Sequence, residues 1–168
     1  MAHTPKKRFG QNFLIDDQVI NQIISTIAPK TDDNIIEIGP GKGALTFPIA
    51  EYLDHLNVIE IDRDLISILS AQNNRKIIIF NADALTFDFN YFSKKIRIIG
   101  NLPYNISSPL LFHLLNYREN IIDMTFMLQK EVVERIVASP GSKTYGRISV
   151  VIQAFFDTEL MFIVPRES

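Results

Sequence analysis

The fold is decided by Ile35-Ile36-Glu37-Ile38-Gly39-Pro40-Gly41-Lys42-Gly43-Ala44, an apolar run that passes directly into a glycine-rich turn. A short run rich in β-branched residues is typical of a strand that is buried on both faces. Glycines after such a strand let the backbone turn tightly and let a ligand approach the main chain closely. A helical pattern over 44–52 follows the turn. The stretch therefore predicts a strand, a ligand-binding turn and a helix.

The rest of the chain repeats this alternation of strand and helix. Further strands are predicted over 56–61, 76–80, 96–99 and 121–128. Helices are predicted over 17–28, 65–71, 109–115 (with Ser108 as N-cap and Pro109 as first helical residue) and 131–138. The segment 148–156 suits either a helix or a strand; we favour a helix, followed by a strand over 158–164. Such alternation predicts an α/β fold with a parallel, doubly wound sheet.

Composition and length limit what the chain can be. Its 168 residues suffice for one domain with a real core, which we place over 1–168. No apolar run approaches the roughly 20 residues of a membrane span, so no membrane partner is expected. Cysteine is absent, which excludes disulfides and thiolate metal sites, and we expect no metal. The net charge is −2, although the first ten residues carry Lys6, Lys7 and Arg8 and no acid.

The glycine turn alone does not identify its ligand. Gly39, Gly41 and Ala44 satisfy the dinucleotide pattern G-x-G-x-x-G/A, and Glu60 lies about 20 residues further on, where an acid binds ribose hydroxyls. A nicotinamide-dependent dehydrogenase therefore stays open. However, Glu37, Glu60 and Asp83 all lie at or near predicted strand ends and make an acidic crevice. S-adenosylmethionine, which carries an ammonium and a sulfonium group, suits that crevice better than a pyrophosphate does.

A second motif follows the fourth predicted strand: Asn101-Leu102-Pro103-Tyr104. The side-chain oxygen of Asn101 and the carbonyl of Leu102 can accept hydrogen bonds from an exocyclic amine such as adenine N6 and favour its pyramidal form. Pro103 fixes the turn, and Tyr104 offers a face to a base that has left its stack. We therefore assign these four residues to the catalytic site. No general base is required, and His113, among leucines in a predicted helix, is expected to be structural.

The chain closely resembles the ribosomal RNA adenine N6-dimethyltransferases, a family that includes the kasugamycin-sensitivity and erythromycin-resistance enzymes. Five segments carry the resemblance: Arg8 to Leu14, Glu37 to Thr46, Val58 to Asp62, Asn81 to Leu85 and Asn101 to Ser108. Gln129-Lys130-Glu131 and Tyr145-Gly146-Arg147 also fit the family. The tract from Asn101 to Leu111 is more similar to the small-subunit (16S rRNA) enzymes than to the resistance enzymes.

The resemblance implies a Rossmann-like class I methyltransferase sheet that uses S-adenosylmethionine, releases S-adenosylhomocysteine and methylates two adjacent adenosines near the 3′ end of 16S rRNA. The implied cofactor residues are Gln11, Asn12, Leu14, Glu37, Gly39, Gly41, Glu60, Asp83 and Asn101. The N-terminal tail, 1–16, would contribute to the cofactor site. The expected setting is ribosomal small-subunit maturation in the cytoplasm, by a monomer.

Four alternatives remain at this point: a large-subunit methyltransferase of the resistance type, a DNA adenine methyltransferase, a nicotinamide-dependent dehydrogenase, and a non-catalytic RNA-binding assembly factor. The family also continues through a last antiparallel strand into a helical domain. We therefore expect this chain to lack that strand and that domain, with basic RNA-binding surface lying there. In that case the chain would bind the cofactor but dock weakly on the ribosomal subunit.

Overall fold

The computed structural model describes residues 14–165. Within them, the strands are β1 (Ile35–Ile38), β2 (Leu56–Glu60), β3 (Ile77–Asn81), β4 (Ile96–Asn101) and β5 (Ile121–Met127). The helices are α1 (Asp17–Ile27), α2 (Thr46–Ala50), α3 (Arg63–Ala71), α4 (Tyr104–Leu114), α5 (Lys130–Ile136) and α6 (Arg147–Gln153). Short 3-10 helices lie at Phe89–Tyr91 and Leu115–Asn120. None of the helices in this range is long and apolar enough to cross a membrane.

The strands form one sheet in the order β3-β2-β1-β4-β5, and every neighbouring pair is parallel. The predicted doubly wound α/β fold is therefore confirmed. The strand order reverses between β1 and β4, because the chain runs outward from β1 to β3 and then returns to the other side of β1. In open sheets of this kind, ligands bind beyond the carboxyl ends of the strands at such a switch point.

Side chains from the central strands alternate between two apolar layers, one on each face of the sheet. Ile35 of β1 packs in the layer that contains α1 and α2, whereas Ile36 and Ile38 pack in the layer that contains α4. All residues of β1 and β2 are buried, as the continuous apolar runs predicted. β3 is different: it lies at the edge of the sheet, and Ile78 is exposed. The other edge strand, β5, likewise has an exposed residue, Ile122, so the prediction of burial on both faces is wrong for β3 and β5.

Helix α4 begins at Tyr104, four residues before the predicted N-cap Ser108. The cap is Pro103, whose carbonyl accepts hydrogen bonds from the N–H groups of Ile106 and Ser107. Pro109 therefore lies inside the helix, where it lacks the N–H that would bond one turn back. Burial of Leu110 and Leu114 on the same helix offsets that loss, so packing overrides the local preference of proline for a first turn.

The predicted strand over 158–164 is wrong in this structure. These residues form no ladder with another strand, and α6 is followed by a stretch without regular secondary structure. Phe162 and Val164 pack against the layer that contains α1, while Met161 and Ile163 are exposed. A strand exists only through pairing, and β5 has no second partner within residues 14–165. The helix predicted over 148–156 is confirmed as α6.

The amino end of the sheet is held together by Arg97 of β4. Its guanidinium donates to Asp33 at 2.6 Å, to Asp123 at 3.0 and 3.1 Å, and to the carbonyl of Ile27 at 2.7 Å. The side chain of Arg97 is only 13% exposed. This one residue therefore connects the end of α1, the start of β1 and β5, and its own strand.

We expect Arg97→Met to lower the free energy of unfolding by about 1–3 kcal/mol, because it leaves Asp33 and the Ile27 carbonyl without their partner. The partial exposure of Asp123 keeps the loss below that of a fully buried pair. Urea unfolding measures the change, with exposed Arg75→Met as the matched control. Equal midpoints for the two variants would contradict this role.

Candidate functional site

A crevice of about 620 Å³ opens at the carboxyl ends of the strands, at the switch point between β1 and β4. Its volume lies within the roughly 300–1,000 Å³ of small-molecule sites. The β1–α2 turn, the end of β2, the turn after β3 and the segment after β4 form its walls. Loops that follow four different strands therefore meet around one cavity.

The glycine turn forms the floor of the crevice. Gly39, Gly41 and Gly43 have φ values of 67°, 59° and 93°, which lie in the left-handed region that side chains other than glycine rarely adopt. The N–H of Gly39 donates to the carbonyl of Ile59 in β2 at 3.0 Å. The end of β1 is therefore tied to β2 where the chain enters the glycine turn that lines the crevice.

Gly100, which precedes Asn101, lies where β4 is closest to β1. A Cβ at this position would lie 2.6 Å from the carbonyl oxygen of Ile38, closer than real side chains approach a backbone atom. On the other side, Asn101 pairs with Met127, and the N–H of Leu102 donates to the carbonyl of Met127 at 3.1 Å. The end of β4 is therefore held between two neighbouring strands, which fixes the position of Asn101.

Glu37 lies in the middle of the buried strand β1 and lines the crevice. It is 2% exposed, and its Oε2 has no hydrogen-bond partner within residues 14–165. Burial raises the pKa of Glu37 to about 7; the nearby hydroxyl of Thr46 opposes this shift, and Glu60 adds to it. A buried carboxyl without a partner is costly unless a ligand supplies one.

Glu60 ends β2 at the rim of the crevice. Its Oε1 accepts hydrogen bonds from the N–H groups of Ile61 at 2.9 Å and Asp62 at 2.8 Å, so the carboxyl group is held in one orientation. Burial raises the pKa of Glu60, and these two N–H groups partly oppose the shift. Asp62 accepts from the N–H of Asp64 and serves as N-cap of α3.

Asp83 occupies the equivalent place after β3. Its Oδ1 accepts a hydrogen bond from the N–H of Leu85 at 2.9 Å, and its carbonyl accepts one from Thr86. This tight turn places Asp83 on the crevice wall together with Ala84 and Leu85. The three acids predicted for the crevice, Glu37, Glu60 and Asp83, therefore lie around the same cavity.

The structure brings most of the predicted site residues together. The crevice is lined by Leu14, Glu37, Gly39, Gly41, Glu60, Asp83, Asn101, Leu102 and Pro103. Tyr104 does not line it; its side chain is 58% exposed just beyond the wall, at the first residue of α4. Gln11 and Asn12 lie outside the described residues. His113 lies away from the crevice, where its Nε2 contacts the carbonyl of Phe87 at 2.8 Å, in agreement with a structural role.

Sequence reasoning missed the apolar part of the wall. Ile61 lines the crevice although it is 46% exposed, and Ile106 and Phe47 also face the cavity. An exposed isoleucine beside Glu60 offers a flat apolar contact to a ligand ring. Its position directly after a strand end was the available signal. In residues 14–165, no group of acids and histidines is arranged to hold a metal ion.

The parallel sheet, the glycine turn and the acidic crevice at the switch point define a Rossmann-like α/β domain of the methyltransferase type. Two solved structures share this fold: a dimethyladenosine transferase from Plasmodium falciparum (TM-score 0.74) and the 23S rRNA methyltransferase ErmE (TM-score 0.73). Each is 28% identical to this chain over 84% of its length, and the match covers 52% and 57% of those chains, respectively.

The chain belongs to the ribosomal RNA adenine dimethylase family, whose model matches residues 2–168. A curated relative from Nitrosomonas europaea, named ribosomal RNA small subunit methyltransferase A, is 56% identical over 168 residues. That match covers all of this chain and 65% of the relative. The chain therefore spans about two thirds of the length of this relative.

Proposed function

We propose that this chain binds S-adenosylmethionine in the crevice and transfers methyl groups to N6 of two adjacent adenosines near the 3′ end of 16S rRNA. One observation carries the proposal: an unpartnered buried carboxyl and the Asn101–Pro103 segment line the same cavity in a member of the rRNA adenine dimethylase family. The small-subunit name of the relatives favours this substrate over large-subunit rRNA. The proposed setting is small-subunit maturation in the cytoplasm.

The residues of the crevice fit this cofactor. Glu37 offers a negative group to a cationic ligand, and its Oε2 would gain a partner that residues 14–165 do not provide. Glu60 would accept hydrogen bonds from the ribose hydroxyls, and Asp83 would accept one from the adenine amine. Gly39 and Gly41 would let the methionine part approach the backbone. We include Leu14 and, ahead of it, Gln11 and Asn12 in this cofactor site.

Bound S-adenosylmethionine supplies a methyl group that is activated by its sulfonium. The protein must then present adenine N6 in line with that group. The side-chain oxygen of Asn101 and the carbonyl of Leu102 would accept hydrogen bonds from the amine and direct its lone pair toward the methyl group. Catalysis is then mainly positioning, which is worth several kcal/mol on its own. Once methylated, the nitrogen is acidic and its proton leaves to water.

Pro103 and Tyr104 would hold the target base. Pro103 turns the chain from β4 into α4 with φ −59° and ψ 146°. The exposed ring of Tyr104 stands at the start of that helix, where an adenine extruded from RNA can stack on it. Stacking of this kind contributes about 1–3 kcal/mol per base.

We expect Glu60→Ala to weaken S-adenosylmethionine binding by at least about tenfold, or about 1.4 kcal/mol, because the ribose loses its acceptor. Isothermal calorimetry measures the affinity, and exposed Glu51→Ala is the matched control. Unchanged affinity for the cofactor, or clear binding of NAD by the parent protein, would count against the proposed site.

A transfer assay tests the reaction itself. Protein incubated with S-adenosylmethionine labelled in the methyl group and with RNA from unmethylated small subunits should yield labelled N6,N6-dimethyladenosine on digestion. Cofactor binding without any transfer to RNA would instead favour the non-catalytic assembly factor.

A further inference from the structure

Two buried polar groups, one in the crevice wall and one just outside it, lack partners among residues 14–165, and they lie close to each other. One is Oε2 of Glu37 in β1, and the other is Oγ1 of Thr46, the first residue of α2. Thr46 is 0% exposed, and its hydroxyl is near enough to Glu37 to influence that carboxyl group, although neither atom completes a hydrogen bond within residues 14–165. Buried polar atoms are rarely left unsatisfied, so these two groups are placed to pair with each other or with a ligand.

The surroundings of Glu37 do not favour a negative charge in the free protein. Its neighbours across the sheet are Val58 of β2 and Ile99 of β4, both buried and apolar. Glu37 makes no ion pair with Lys or Arg among the described residues. Among the residues that the structure describes, the other charged groups on the crevice are Glu60, Asp83 and Lys42, and Glu60 disfavours a second negative charge.

We propose that Glu37 is an uncharged acid in the free protein and releases its proton to water when a cationic cofactor enters, so that the site selects ligands by their charge. The O–H bond of the carboxyl group breaks, the proton goes to the buffer, and the hydroxyl of Thr46 donates a hydrogen bond to the carboxylate that forms. This inference rests on the proposed cofactor and adds a mechanism of selection to it.

Ionisation of Glu37 depends on two opposing effects: the cost of burying its carboxylate and the attraction of that carboxylate to a cationic ligand. A carboxylate in a dry site is costly, and a neutral ligand offers nothing to offset the cost. A ligand with an ammonium or sulfonium group does offset it, so ionisation and binding occur together. A neutral nucleoside such as 5′-methylthioadenosine should therefore bind to the nucleoside part of the crevice without ionising Glu37.

Calorimetry in two buffers with different heats of ionisation counts the protons released on binding. Since the pKa of Glu37 is about 7, most of this acid is protonated at about pH 6. There, S-adenosylmethionine should release close to one proton from the wild-type protein, whereas 5′-methylthioadenosine should release none. Glu37→Gln should release close to none with either ligand, and exposed Glu51→Gln should behave like the wild type.

Thr46→Val tests the second half of the pair, because it removes the hydroxyl and keeps the shape of the side chain. It should weaken S-adenosylmethionine binding several-fold at about pH 7 and leave 5′-methylthioadenosine binding unchanged. If Glu37→Gln does not fold, the carboxyl carbon shift of Glu37 in the labelled wild-type protein gives the same information. It should titrate near neutral pH in the free protein and show the ionised form in the complex.

The outcomes separate this inference from the proposed function. Equal proton release by the wild type and Glu37→Gln, in proteins that bind the cofactor and transfer methyl groups, would overturn the proton exchange alone. Equal loss of both ligands in Thr46→Val would do the same for the role of Thr46. A wild-type protein that binds no S-adenosylmethionine at all would contradict both proposals.

Discussion

Asn101→Ala is expected to lower the rate of methyl transfer by at least about 100-fold, the usual loss when one preorganised hydrogen-bonding group is removed from a transition state. The variant should keep its thermal midpoint within a few degrees, because the backbone of Asn101 still pairs with Met127 in β5. Single-turnover transfer to RNA, with the thermal midpoint measured on the same sample, separates chemistry from folding.

The matched control for this prediction is Asn116→Ala. Asn116 lies in the 3-10 helix after α4, where its side-chain amide donates to the carbonyl of His113 at 3.0 Å. The Asn116→Ala protein has the same change of side chain at a position outside the crevice, and it should transfer methyl groups at the wild-type rate. Wild-type turnover in a folded Asn101→Ala protein would refute the role of the Asn101 side chain.

Glu37→Gln should stabilise the cofactor-free protein at pH 8 by up to about 3 kcal/mol while weakening cofactor binding. The reason is that the pKa of Glu37 is raised by burial from 4.5 to about 7. Above that pH the folded protein must hold a buried carboxylate, and glutamine has the same shape without the charge.

The sign of the pH dependence follows from proton binding. Between about pH 4.5 and pH 7 the folded state binds more protons at this site than the unfolded state, so Glu37 lowers the stability of the wild type as pH rises through this window. The stability difference between Glu37→Gln and the wild type should therefore be small near pH 5 and largest above pH 7. Urea unfolding at several pH values measures it; a difference that does not change with pH would contradict the buried, uncharged acid.

The sheet could be predicted from sequence because its signals are local. Each strand is a short β-branched run, and the β1 turn contains glycines at three positive φ angles. The start of α4 could not be predicted, because Pro109 is typical of a first helical turn and only the packing of Leu110 and Leu114 places it inside the helix. The strand expected over 158–164 depends on a pairing partner, which no local pattern shows.

Some of the site residues could likewise be predicted from sequence, and others could not. The acids and the Asn101 segment carry chemistry in their residue types, and their places after successive strands bring them to one crevice. Ile61 has an ordinary apolar side chain, and only the structure shows that it lines the crevice beside Glu60. The missing partner of Glu37 also emerges only from the structure, because sequence cannot show which buried carboxyl lacks a hydrogen bond.

Methylation of adenosines in small-subunit RNA is the activity proposed for this chain. The most direct measurement is transfer of tritiated methyl groups, in parallel, to under-methylated small subunits, to naked rRNA and to DNA. We expect labelled N6,N6-dimethyladenosine in small-subunit RNA, no label in DNA, and transfer by Asn101→Ala that is at least about 100-fold slower. Label in DNA or in large-subunit RNA, with none in small-subunit RNA, would contradict the proposed activity.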